Sequence, residues 1–208
     1  MYLTRMELDT SKRRTVIAFT KPSLFHGAVE EAFAQRERKL WRIDKLAGRT
    51  YLLLLSSEKP DLGDAARQFG TENGWETRDY APFLERIRTG DRRRFRLTAS
   101  PVIAKKTGNE DRGKLMAHVT VAWQEKWLAD RAAKNGFALS PDEFSAVGNR
   151  WVSFNKGRDG RNVTFRQTTF EGILTVTDEE LFRAALQNGI GREKAYGCGL
   201  LTVTGREP

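Results

Sequence analysis

Gly189-Ile190-Gly191-Arg192-Glu193-Lys194-Ala195-Tyr196-Gly197-Cys198-Gly199 runs into the short apolar stretch Leu200-Leu201-Thr202-Val203, and the chain is organised around this passage. The amphipathic run before it, residues 177–188, reads as a helix, so the order is helix, glycine loop, strand. Glycines free the backbone and let main-chain N–H groups approach a ligand without an intervening Cβ. Successive N–H groups of this kind form an anion-binding concavity, which Arg192 and Lys194 reinforce. A plainer role is also open, in which Gly189 ends the helix and the others shape a tight turn. Four glycines with two cations between them favour contact with a phosphate backbone. The order excludes a P-loop and a dinucleotide fingerprint, both of which precede their helix.

Upstream of the loop the pattern is strand, helix, a hairpin of two strands with a further short strand after it, then helix. Residues 170–176 read as a strand, and Thr177 and Glu180 have capping-box spacing at the start of the last helix, whose inward residues are Leu181, Phe182, Ala185 and Leu186. Residues 150–156 and 162–169 read as two strands around Gly157-Arg158-Asp159-Gly160, where Asp-Gly signals a hairpin. Lys156, Arg158, Arg161 and Arg166 load that hairpin with charge. A basic ribbon can enter a nucleic-acid groove; a solvated tip is the other meaning of charged turns, and the basic whole favours binding. Val119, Ala122, Trp123 and Trp127 form a helical stripe before Gly136, with both Trp residues expected in the core. Residues 104–112, which include Lys105 and Lys106, read as a polar loop. Residues 92–98 alternate Phe95 and Leu97 against Arg92, Arg94 and Arg96. Residues two apart on a strand lie about 6.6 Å apart, close to the phosphate spacing of an extended nucleic acid. An edge that discourages sheet aggregation explains the arginines equally well.

The first 80 residues read strand, helix, strand, strand, helix, strand. Residues 2–9 alternate, 11–14 are a basic break, and a helix follows Pro22 with Phe25, Ala28, Val29, Ala32 and Phe33 on one face. Strands at 40–46 and 50–56, a helix after Pro60 and a strand at 75–80 complete a βαββαβ unit. With the same order in the second half and a junction within 81–90, the expected fold is α+β. It consists of two tandem ferredoxin-like domains, residues 1–85 and 90–208.

Formal net charge is +9 and the sequence pI about 9.9, with cations spread along the chain, which points to a polyanion such as nucleic acid. Twelve Phe and five Trp supply real cores. Cys198 is the single cysteine, so an intrachain disulfide and a Cys-based zinc site are both excluded and a reducing, cytoplasmic setting is expected. The N-terminus lacks a secretory pattern, and the longest apolar run, 51–55, is far too short to span a membrane. No His-x-x-x-His, paired-Asp or zinc spacing occurs, so neither a metal nor a cofactor is expected.

Of the two histidines, His118 has no acidic or nucleophilic company. His26 sits in the first turn of a helix, on the flank of the Phe25, Ala28, Val29, Phe33 stripe, at the boundary of core and solvent. An imidazole there titrates near neutrality and can pass a proton, although position alone favours a structural role. RNA supplies its own nucleophile, a 2′-OH beside each phosphate, so cleavage would ask of the protein only alignment, proton transfer and charge compensation.

The closing passage 189–203 resembles the C-terminal signature of the CRISPR-associated CasE family, the type I-E precursor-RNA processing endoribonucleases of the repeat-associated mysterious protein superfamily. The similarity extends along the chain: residues 2–8 resemble the family's opening strand, Pro22-Ser23-Leu24-Phe25-His26 its catalytic-histidine segment, and 39–43 its second strand. Residues 94–101 and 170–174 resemble strands of its second domain. The resemblance implies tandem ferredoxin-like domains, binding of a CRISPR repeat RNA hairpin, and metal-independent cleavage at the 3′ base of the stem. It also implies retention of the mature guide RNA beside other Cascade subunits. His26 matches the catalytic histidine, and the hairpin around Arg158 and Arg161 the region that docks on the stem. Lys21, Arg94, Arg96, Lys105, Lys106, Lys156, Arg166, Gly191, Arg192 and Lys194 complete the candidate RNA contacts. Some members carry Tyr three residues before the histidine; here Ser23 stands there, and the second proton-transfer group is left to another residue or a water. A non-catalytic RNA-binding subunit of the same superfamily is the alternative.

Overall fold

Alternation makes β1 (Tyr2–Leu8) a half-buried strand, with Thr4, Met6 and Leu8 inward. It lies between β3 (Arg49–Ser56) and β4 (Gly70–Asp79), antiparallel to both, and β2 (Leu40–Leu46) adds to β3, giving the order β2-β3-β1-β4. Three helices, α1 (Arg13–Thr20), α2 (Ser23–Glu31) and α3 (Gly63–Phe69), cover one face. Their Ala18, Phe25, Val29 and Phe69 pack on Met6, Trp41, Leu52 and Leu54. In this computed structural model the described residues are 1–35, 38–105, 113–156 and 160–206.

After α4 (Ala81–Leu84) the topology repeats. β5 (Arg92–Ala99) lies between β11 (Leu201–Arg206) and β10 (Arg161–Val176), and β10 pairs on its other side with β8 (Phe137–Ala138) and the long β9 (Phe144–Lys156). α5 (Val121–Ala132) and α6 (Glu179–Asn188) supply the helices. Strands β11, β5, β10 and β9 thus stand where β4, β1, β3 and β2 stand in the first sheet, the ferredoxin-like order twice over. A separate hairpin pairs β6 (Val102–Lys105) with β7 (Lys114–Ala117).

The two sheets share a core. Leu40, Leu55 and Tyr80 of the first half pack with Phe95, Leu97, Phe170 and Leu200 of the second. Each such side chain stabilises by about 1.5–3 kcal/mol on burial. Arg42, 2% exposed, ties the halves with all five of its N–H donors. Two go to Asp44 at 2.8 and 2.7 Å, and three cross to the Arg96 carbonyl, the Leu200 carbonyl and the Thr202 hydroxyl at 2.7–2.8 Å. Among the described residues no helix is long and apolar enough to cross a membrane.

Five local expectations need correction. Leu181, expected inward on the last helix, is 46% exposed, and the buried face of α6 is Phe182, Ala185 and Leu186. The basic break at 11–14 runs into a helix, α1, whose inward residues are the small Thr15 and Ala18 while Val16 and Ile17 face solvent, so no apolar stripe marks it. β10 is one strand of 16 residues where two were expected; a register shift at Thr169/Phe170 accommodates it without ending it. The cap of α6 is Asp178, whose Oδ1 accepts from the Glu180 and Leu181 N–H groups at 3.0 and 2.9 Å, in place of the Thr177 capping box. Trp123 is 55% exposed, because Gln124 takes the inward position beside Trp127 and Leu128 and donates to the His118 and Val119 carbonyls.

Candidate active site

α2 begins after Pro22, whose ring cannot continue α1, and buries Phe25, Ala28 and Val29. That leaves His26 at the helix edge with a third of its side chain exposed, 33%. One turn on, Glu30 places Oε1 at 3.8 Å from Nδ1, too long for a hydrogen bond but an ion pair once the imidazole is protonated. The other Glu30 oxygen accepts from Lys39 Nζ at 3.2 Å. Lys39 is itself buried, its ammonium 4.6 Å from the Phe33 ring centroid and 3.4 Å from the Gln35 carbonyl. A buried ammonium needs its counter-charge, so Glu30 is held in place behind His26.

On the other side of the imidazole stands the glycine loop. The Tyr196 ring meets His26 edge-on, centroids 6.1 Å apart at 74°, and is wedged from behind by Phe154 and Phe165 of the β9–β10 ribbon. Segments distant in sequence therefore converge: α2, the turn Lys194–Tyr196 and the ribbon. Within the loop, the N–H groups of Gly189, Ile190, Tyr196, Cys198 and Gly199 donate to protein carbonyls. Gly197, at φ +80°, lies against Trp41, where a Cβ would meet the ring at 2.9 Å, and Gly191, at φ +90°, lies against Trp127. The glycines thus serve tight packing, and those five N–H groups are already committed within the protein. Lys194 is half-buried; burial, and then the nearby Arg38 charge, hold its ammonium below the usual lysine range. Two crowded cations attract an anion. Cys198 is buried against Gln167, and burial pushes its thiol up to about 12, which removes it as a nucleophile at neutral pH. Among the described residues no three His, Cys, Asp or Glu side chains cluster as metal ligands do.

Residues 1–204 match the sequence pattern of the CRISPR-associated protein family. The chain belongs to that family. It is 30% identical to the CRISPR-associated endoribonuclease Cse3 of Thermus thermophilus, over 98% of this chain and 99% of the relative. Among solved structures it resembles Thermus thermophilus Cse3 bound to an RNA representing a pre-cleavage complex, with a TM-score of 0.80 and 26% identity over 98% of each chain. It also resembles a chain of a CRISPR RNA-guided surveillance complex in a pre-nicking state, with a TM-score of 0.73 and 28% identity over 98% of this chain and 99% of that one. The likeness to the CasE endoribonucleases and the tandem ferredoxin-like fold are both borne out.

In this CRISPR-associated protein the expected contacts fall into separate groups. Lys21 is exposed just before α2, and Arg192 is exposed and Gly191 half-buried in the loop beside Lys194. Arg166 on the ribbon lies over Trp151 at 5.4 Å and bonds Asn149. Arg96 is paired within the protein, to Glu171 at 2.7 Å and near Asp44 at 3.6 Å, while Arg94 is exposed on the same strand face. Lys105 is exposed on the β6–β7 hairpin. Lys106 and Arg158 lie outside the described residues, as do the side chains of Lys156 and Arg161, whose backbones form the last pair of the ribbon. Sequence reasoning missed Tyr196, Lys39 and Trp151 as site neighbours. The aromatic at 196 inside a loop otherwise of glycines and charges was the one available signal; Lys39 and Trp151 needed the sheet register.

Proposed function

We propose that this chain is a metal-independent endoribonuclease that binds a CRISPR repeat RNA hairpin and cleaves at the 3′ base of the stem. It keeps the resulting guide RNA as one subunit of a Cascade complex in the cytoplasm. The observation that carries this is the meeting of His26 with the Lys194–Tyr196 turn, with Glu30 and Lys39 fixed behind the imidazole. In the reaction the 2′-oxygen attacks the adjacent phosphorus as the bond to the 5′-oxygen breaks, leaving a 2′,3′-cyclic phosphate and a 5′-hydroxyl. One proton leaves the 2′-hydroxyl and one reaches the 5′-oxygen. No metal is needed to make the nucleophile, since the RNA carries it. His26 performs one transfer, Glu30 steadying the imidazolium, and Lys194 with Arg192 offsets charge on the phosphorane. The ribbon carrying Arg158, Arg161 and Arg166 docks the stem. We further infer that residues 1–85 form the domain that carries His26 and 90–208 the domain that holds the stem.

The test is cleavage of a repeat hairpin in EDTA beside the same RNA with a 2′-deoxy nucleotide at the cut. Only the first should be cut, and His26→Ala should slow single-turnover cleavage by about 10²–10⁴-fold with hairpin affinity kept. Cleavage of the deoxy RNA, or a requirement for Mg²⁺, would refute the mechanism. Ser23, in place of a tyrosine that some CasE members carry, favours the second reading, a non-catalytic RNA-binding subunit. Binding without cleavage by the wild-type protein would establish it.

A further inference from the structure

A cleft of ≈ 830 Å³ opens between α1, the β2–β3 turn, the ribbon and the glycine loop. It adjoins the candidate active site: Pro22 and Phe25, just before His26 in sequence, and Tyr196, whose ring meets the imidazole, belong to its wall. Three cations, Arg42, Lys45 and Arg150, line it, and among the described lining residues there is no Asp or Glu. In a chain with 27 acidic residues that is a local selection. Asp44 answers the charge of Arg42, so Lys45 and Arg150 leave the cleft positive. Arg150 is held in place: Nε donates to Gln167 Oε1 at 2.9 Å and Nη1 to the Phe19 carbonyl at 3.2 Å. Phe19, half-buried, supplies flat apolar wall, backed by the buried Trp41, whose indole N–H has no hydrogen-bond partner among the described residues.

Flat wall, fixed donors and unopposed positive charge together suit a nucleotide, whose base stacks while its phosphate takes the cation. The volume lies within the range of small-molecule sites. We propose that this cleft is a subsite for the unpaired RNA nucleotide immediately 3′ of the cleaved bond. The proposal rests on the endoribonuclease reading: if the cut falls at the 3′ base of the stem, the nucleotide on its 5′ side is already stacked in the helix. The first base that lacks a stacking partner is the one on the 3′ side. Seating it beside His26 would hold the 5′-oxygen leaving group in line.

The test uses three hairpin RNAs with a 2′-deoxy nucleotide at the cut: one with downstream nucleotides, one with an abasic site at the first of them, and one ending at the stem. The natural downstream base should raise the affinity of the wild-type protein about tenfold over the abasic RNA. In Arg150→Ala and in Gln167→Leu that difference should shrink, while the stem-only RNA binds all three proteins alike. The ribo versions should show the same dependence in single-turnover rate. Equal affinities for natural and abasic RNA, or a full tenfold difference kept in both variants, would overturn the subsite. An affinity difference without any cleavage of the ribo RNAs would leave the subsite standing and strike the endoribonuclease reading instead.

Discussion

Arg42→Met gives the sharpest physical test of how the halves are joined. The arginine places five donors within 2.7–2.8 Å of their acceptors, two on Asp44 and three across the gap between sheets. Met fills similar space but strands the Asp44 carboxylate, whose side chain is 5% exposed, with Arg96 at 3.6 Å its one remaining cation among the described residues. Breaking a buried pair by removing one partner costs about 3–5 kcal/mol. For a protein of this length each kcal/mol lowers the apparent Tm by about 2–4 °C, so a fall of roughly 6–20 °C is expected. The double variant Arg42→Met/Asp44→Leu removes the stranded charge and should recover most of the loss, because a packed apolar pair often matches a buried ion pair. Urea denaturation of the three proteins, followed by circular dichroism, supplies the comparison. A single variant within about 1 kcal/mol of wild type, or a double variant no better than the single, would refute the idea that this arginine is the joint between sheets.

Three further outcomes follow from the site and its surroundings. Glu30→Gln keeps the shape of the contact but removes the charge that steadies an imidazolium, so single-turnover cleavage should fall by about tenfold or more with hairpin affinity unchanged; an unaltered rate would reduce Glu30 to a partner of Lys39. Gly197→Ala forces a Cβ onto the Trp41 ring at φ +80° and should cost about 1–3 kcal/mol by denaturation; a neutral result would show that the loop yields easily. Replacing Arg158 and Arg161 with Gln should lower the slope of log K against log salt by about 2, one for each phosphate left without its cation. An unchanged slope, measured by fluorescence anisotropy, would return them to a solvated hairpin tip.

Periodicity carried most of the architecture. The alternation of residues 2–8 and the Phe25, Ala28, Val29 stripe each reported a face that is buried, and the hairpin expected between the two ribbon strands is made, Arg161 pairing with Lys156. Where the buried face lacks bulk the signal fails: α1 turns Thr15 and Ala18 inward and escapes notice, and Gln124 displaces Trp123 from the core by satisfying two carbonyls that an indole could not. The place of His26 at the margin of a stripe was legible, but that position alone favoured a structural role, and only the resemblance of 22–26 to the CasE histidine segment made it a candidate. Its neighbours were not legible, since Tyr196 approaches through the packing of two sheets and Lys39 through a strand that passes under α2. Arg42 reads as one more cation of a basic chain; only the pairing of its five donors shows that its charge faces inward rather than toward a ligand.

The common core of the two sheets has a consequence for how His26 and Tyr196 are held together. Leu40, Leu55 and Tyr80 are embedded among Phe95, Leu97 and Phe170, so it is the fit of one half against the other, and not covalent continuity, that sets His26 beside Tyr196. The exposed stretch 88–90 is a tether rather than a hinge. A protein nicked there should travel as complementing fragments and keep His26 against Tyr196, whereas either fragment produced alone would present a leucine- and phenylalanine-rich face to water and aggregate.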